Sequence, residues 1–125
     1  MKKTTIIFWI TTGIIFLFEG VMPALTGHTE LAKEGIRHLG YPEYFGTMLV
    51  VYKVIGSILL VIPNLPRKVK EWTYAGFGFD FISAFISHWV VTGFGPELIL
   101  PVVLMIILVI SYLQFQKLHE ARLAL

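Results

Sequence analysis

The chain contains no cysteine. That absence excludes a disulfide framework, thiol–disulfide exchange, iron–sulfur clusters held by thiolates and covalent haem attachment through CxxCH. Charge is scarce as well. Lys, Arg, Asp and Glu make up 14% of the 125 residues, against 56% hydrophobic residues and a mean hydropathy of +0.77. A single small core surrounded by water cannot accommodate that balance. No HExxH, GxSxG or Walker pattern occurs, so no hydrolase reading is supported. Internal repeats and low-complexity segments are also missing. The net charge of +2 and pI of about 9.0 would indicate nucleic acid if the basic residues formed a patch on a soluble face. They flank apolar runs instead, so no nucleic-acid partner is expected.

What is present is hydrocarbon-length apolar sequence. A bilayer core of roughly 30 Å needs about 20 apolar residues per helix, and four such stretches, at about 4–25, 43–62, 72–94 and 97–115, use up most of the chain. The expected fold is all-α: one transmembrane domain over residues 1–125, a four-helix bundle in contact with the lipid bilayer. The first span, TTIIFWITTGIIFLFEGVMPAL, follows Met1-Lys2-Lys3, an opening that a signal peptide shares. Its length, the interruption by Glu19 and the poor cleavage site at Ala24-Leu25-Thr26 favour a retained helix.

The polar stretch GHTELAKEGIRHLGYPEY reads as a short interfacial amphipathic helix between the first two spans. Thr29 can cap its start, Glu30/Lys33 and Glu34/Arg37 pair at i,i+3, and Gly40 with Pro42 stops it. Leu31, Ile36 and Leu39 are expected to face lipid or the end of the bundle. Pro42 suits the first turn of the second span, which PNLPR terminates. Trp72 and Tyr74 fit one interfacial aromatic belt and Trp89 the other. Gly93-Phe94-Gly95-Pro96 makes a tight turn, and Pro101 is expected to kink the fourth span or to sit in its first turns. Lys2, Lys3, Arg67, Lys68, Lys70, Lys117 and Arg122 fall on one side and only Lys33 and Arg37 on the other. The positive-inside rule then places both termini and the 63–70 loop in the cytoplasm of a multi-pass inner-membrane protein.

Four ionisable residues lie inside the spans: Glu19, Lys53, Asp80 and His88. A charge at the centre of an isolated helix costs about 2.5–3.5 kcal/mol on insertion scales, so each should face the bundle and find a partner. A rise of 1.5 Å per residue puts Lys53 about 13 Å and Asp80 about 12 Å from the boundary, at one level, with Glu19 and His88 about 9 Å from the opposite face. Thr5, Thr12, Glu19 and Thr26 recur every seven residues and mark a polar stripe. Gly46, Lys53, Gly56 and Ser57 share one side of the second span, and Gly76, Asp80, Ser83, Ala84 and Ser87 one side of the third. The small residues permit close approach, and the hydroxyls of Ser57, Ser83 and Ser87 offer supporting hydrogen bonds. Trp72 and Tyr74 are counted with this support.

Two carboxylates and one ammonium do not cancel, so one acid is expected to hold a proton or to share it with His88. The plainer alternative is a fixed polar clasp that keeps the helices in register. No catalytic residue and no metal site is assigned. A lone in-membrane His88, with His28, His38 and His119 outside the spans, argues against haem. Phe77, Phe79, Phe81 and Phe85 serve packing against neighbours and lipid, and would also suit a flat quinone ring.

At KEWTYAGFGFDFISAFISH, residues 70–88, the sequence resembles the DoxX-like family of small four-helix membrane proteins. Lys70-Glu71-Trp72, Tyr74-Ala75-Gly76, Ala84 and Ser87-His88 resemble that family's third-helix motif; Tyr41-Pro42, Lys53 with Gly56 and the Pro63 loop resemble its second-helix pattern. The likeness runs from about Gly13 to Ser111. The family takes its name from a membrane subunit of a thiosulfate:quinone oxidoreductase. The resemblance therefore implies a quinone-associated subunit beside other oxidoreductase subunits, with quinone as the implied cofactor class. A sulfur-handling domain is missing, so thiosulfate oxidation by this chain alone is not expected. Two other readings stay open: a small proton-coupled transporter working as a homodimer, and a non-catalytic accessory or assembly protein.

Overall fold

The computed structural model describes residues 2–124, with side chains through Glu120; Met1 and the Arg122 side chain, both used above for topology, lie outside the described residues. All regular structure among the described residues is helical. The first long segment comprises α1 (Lys2–Phe16), a π-helical turn (Leu17–Val21) and α2 (Met22–Thr26). It is followed by α3 (Glu30–His38), α4 (Glu43–Val61), α5 (Arg67–Thr92), a 3₁₀ turn (Pro96–Leu98) and α6 (Ile99–Ala124).

Local chemistry sets these boundaries. The Thr29 hydroxyl accepts the Ala32 N–H at 3.3 Å and caps α3, while Gly40 leaves it with φ +89°, a conformation favoured by glycine. The expected i,i+3 pairs form: Lys33–Glu30 at 3.8 Å and Arg37–Glu34 at 2.8 Å. Pro42 immediately precedes α4, and Pro66 immediately precedes α5. Asn64, at φ +64°, turns the chain between them.

The π turn has an identifiable cause. Pro23 has no N–H to offer the Glu19 carbonyl four residues earlier, and its ring would collide with that carbonyl in a regular helix. One turn widens instead, and the Met22 N–H bonds to the Leu17 carbonyl five residues back.

Helix α1 packs on α6 and α4, and α5 packs on α6 and α4. A core of Ile15, Leu60, Tyr74, Phe77, Phe81, Leu104 and Leu108 sits among them. Large apolar residues cover the outside as well: Ile10 is 58% exposed, Val90 78% and Ile99 61%. That much outward apolar surface needs a lipid environment. Among the described residues, three helical segments are long and apolar enough to cross a bilayer: Lys2–Thr26, Glu43–Val61 and Pro96–Glu120.

Helix α5, the third expected span, is not among them. Its 26 residues, about 39 Å at 1.5 Å each, suffice in length. Asp80, His88, two serines and two glycines dilute its hydropathy. It also starts earlier than expected, at Arg67, and α6 runs beyond 115 to Ala124. Pro101 lies in the first turn of α6, buried, where a missing N–H costs nothing. Tyr74, expected at an interface, points inward and is 5% exposed.

Candidate functional site

The π turn aims Glu19 at α4. Lys53 Nζ lies 3.1 Å from Glu19 Oε2 and 3.9 Å from Asp80 Oδ2, so one ammonium joins carboxylates from the first segment and from α5. Glu19 is 5% exposed, while the Lys53 and Asp80 side chains are 24% and 20% exposed. The Glu19 contact is an ion pair without hydrogen-bond alignment, and Glu19 Oε2, Ser57 Oγ and His88 Nδ1 are buried without a hydrogen-bond partner among the described residues. Ser57, one turn beyond Lys53, abuts Gly20. A Cβ on Gly20 would sit 2.7 Å from the Ser57 Cβ, so glycine is what lets the two segments approach closely enough for the pair to form.

The remaining expected site residues are dispersed. No hydrogen bond or ion pair joins His88 to the cluster among the described residues; eight positions past Asp80, it lies about 12 Å further along α5. Ser83 is exposed. Ser87 shares a 2.6 Å hydrogen bond with the Tyr41 hydroxyl, fixing the α3–α4 connection to α5. Trp72 is 76% exposed, consistent with an interfacial position. Tyr74 belongs to a separate hydroxyl chain: its OH lies 2.6 Å from Ser111 Oγ, which lies 2.7 Å from Thr12 Oγ1, linking α5, α6 and α1 in the core.

From sequence, Lys70 is a topological charge and the first residue of the Lys70-Glu71-Trp72 family resemblance, with no structural role assigned. It is 5% exposed, and its Nζ donates to the Leu59 and Leu60 carbonyls at 2.8 Å each, closing the C-terminal end of α4. A cation there answers both the free carbonyls and the negative end of the helix dipole. Burial nevertheless pushes the ammonium down to about 8. The signal that could have revealed this role was its place within one helical turn of Pro66, directly after a helix stop at Pro63.

Two cavities meet at Lys53. One, of about 370 Å³, lies between α4 and α5, lined by Tyr52, Gly56, Thr73, Phe77 and Asp80 among others. The second, of about 270 Å³, lies beneath α3 among α2, α3 and α4, with Lys53 shared and Lys33, Glu43, Thr26 and Thr47 also on its wall. Lys53 thus borders both spaces and Asp80 the first, while Glu19 reaches them only through its ion pair with Lys53. Among the described residues, no group of three or more His, Asp or Glu is arranged to hold a metal ion.

In comparison with known proteins, the sequence model of the DoxX-like family matches residues 7–111, a stretch that contains Glu19, Lys53, Asp80 and His88. No curated protein and no solved structure matches.

Proposed function

This chain belongs to the DoxX-like family, and from that premise we propose that it is a four-span inner-membrane protein whose Glu19–Lys53–Asp80 cluster binds a quinone ring within an oxidoreductase assembly. The observation that carries the reading is the position of Lys53, held between two carboxylates at the meeting point of two cavities. The α4–α5 cavity fits a quinone in size and lining: about 370 Å³, aromatic at Tyr52 and Phe77, and polar only where Lys53, Asp80 and Thr73 reach it. A bound quinone supplies two-electron, two-proton redox chemistry. Lys53 would donate a hydrogen bond to the quinone, Phe77 and Tyr52 would contact its ring, and Asp80 on the wall and Glu19 behind Lys53 would hold and release protons. On this reading the electrons would be supplied by another subunit of the assembly.

The excess of one negative charge over the ammonium supports a second reading, proton-coupled transport by a homodimer. The two separate by experiment. Purified protein is expected to retain extractable quinone, and Lys53→Ala to lose it while remaining folded. Substrate-dependent proton flux in proteoliposomes that Glu19→Gln abolishes, with no quinone retained, would replace the first reading by the second. If neither signal appears and the substitutions lower only thermal stability, the cluster is a clasp.

A further inference from the structure

The α4–α5 cavity accounts for a ligand arriving from the bilayer, yet Lys53 also forms part of the wall of the cavity beneath α3. That cavity has more polar groups on its wall: Lys33 and Glu43 of α3 and α4, Thr26 and Thr47, then Lys53. Its volume of about 270 Å³ accommodates several waters at about 30 Å³ each. Its cover is weakly attached. No residue of α3 is buried, and its ties are Ile36 resting on Gly46, the Lys33–Glu43 pair at 3.3 Å and an exposed contact of 3.2 Å between His38 Nε2 and Thr92 Oγ1. Both polar ties, Lys33–Glu43 and His38–Thr92, lie where water competes for them. Gly40, at φ +89°, gives its C-terminal end a glycine turn.

We propose that the cavity beneath α3 is a water-filled entrance that brings protons to Glu19 and Lys53 from the α3 end of the molecule, with α3 as its movable cover. The inference rests on the cluster being a working site, and it fixes the side on which that site meets water. The lipid-side cavity then receives the apolar ligand and the α3-side cavity the protons, so the two reach the cluster by different routes.

The cysteine-free sequence makes the test direct. Val50 lines the cavity, and Glu97 lies exposed on the α5–α6 connection. In vesicles, a membrane-impermeant maleimide applied from the α3 end is expected to modify Val50→Cys at least tenfold faster than Leu108→Cys in the core. A Cβ on Gly46 would lie 3.6 Å from the Ile36 Cβ, within disulfide range. Oxidation of the Ile36→Cys/Gly46→Cys pair should therefore lower Val50→Cys modification at least tenfold, with reductant restoring it and Glu97→Cys unaffected. Unmodified Val50→Cys, or modification indifferent to the cross-link, overturns the proposal. If the pair disturbs folding, the comparison of Val50→Cys with Leu108→Cys decides alone. Quinone retention is read separately: its loss with intact maleimide access leaves the entrance standing, and retained quinone with an inaccessible Val50→Cys removes only the entrance.

Discussion

Lys53 has two acidic neighbours, and they are not equivalent. Glu19 is nearer, at 3.1 Å against 3.9 Å, and more deeply buried, so it depends more on the ammonium. Removing one partner of a buried pair costs about 3–5 kcal/mol because the other charge is stranded. Lys53→Met is expected to fall at the lower end, about 3 kcal/mol, since its side chain is partly exposed. Adding Glu19→Gln should recover more of that loss than adding Asp80→Asn. Unfolding midpoints of the three variants in one detergent test the order, and equal recovery by the two acids would refute the asymmetry. Sequence pattern alone made Lys53 and Asp80 the level pair, because residue counting measures depth along straight helices. Glu19, expected in a second tier within reach of the long lysine side chain, is in fact the nearer acid, on a segment that counting treated as a regular helix and that carries a π turn. His88 shows the opposite failure: counting placed it in the same tier as Glu19, and the structure leaves it without a bond to the cluster.

At the scale of the element, the joint between the first segment and α4 depends on Gly20. A Cβ there meets the Ser57 Cβ at 2.7 Å and Oγ at 3.0 Å, closer than side chains approach. Gly20→Ala is therefore expected to destabilise by about 1–3 kcal/mol, the usual range for overpacking. Ser57→Gly in the same chain should relieve it and Ser57→Ala should not, because alanine keeps the offending Cβ; equal rescue by both would disprove the contact. Pro23 was visible in the sequence four residues after Glu19, and its missing N–H was the available sign of the widened turn. At the far end of α4, Lys70 gives a pH signature. In the folded chain it releases its proton near 8, in the unfolded chain near the ordinary 10.5. Between those values the unfolded chain binds more protons, so this group makes stability rise with pH from about 8 to 10.5. Thermal midpoints at pH 8 and 10 should show the rise in the parent chain and a smaller one in Lys70→Met, which also loses the carbonyl cap; identical slopes would show that Lys70 does not titrate in that window.

For the whole molecule, length and composition qualify three spans among the described residues, and α5 is not one of them. Packing supplies what composition does not. Along α4 and α5 the contacts run in reverse order: Lys70 with Leu59 and Leu60, Phe77 with Gly56, Asp80 with Lys53. Along α5 and α6 they do likewise, from Glu71 with Tyr112 through Tyr74 with Ser111 to Gly78 with Met105. That matching order along two candidate spans supports α5 as the proposed fourth crossing. Its polar residues are tolerable there because they turn toward neighbours: Asp80 to Lys53 and Ser87 to Tyr41. The proposed four crossings would put both ends of the chain on one side, the side of Lys2, Lys3, Arg67, Lys68 and Lys117, and leave Lys33 and Arg37 on the other. Compartment-sensitive reporters fused after the C-terminus and before the N-terminus should both report the cytoplasm, and one inserted at Gly95 should report the opposite face. Termini on opposite sides would mean three crossings, and would force Asp80 to meet Lys53 from a helix that does not span.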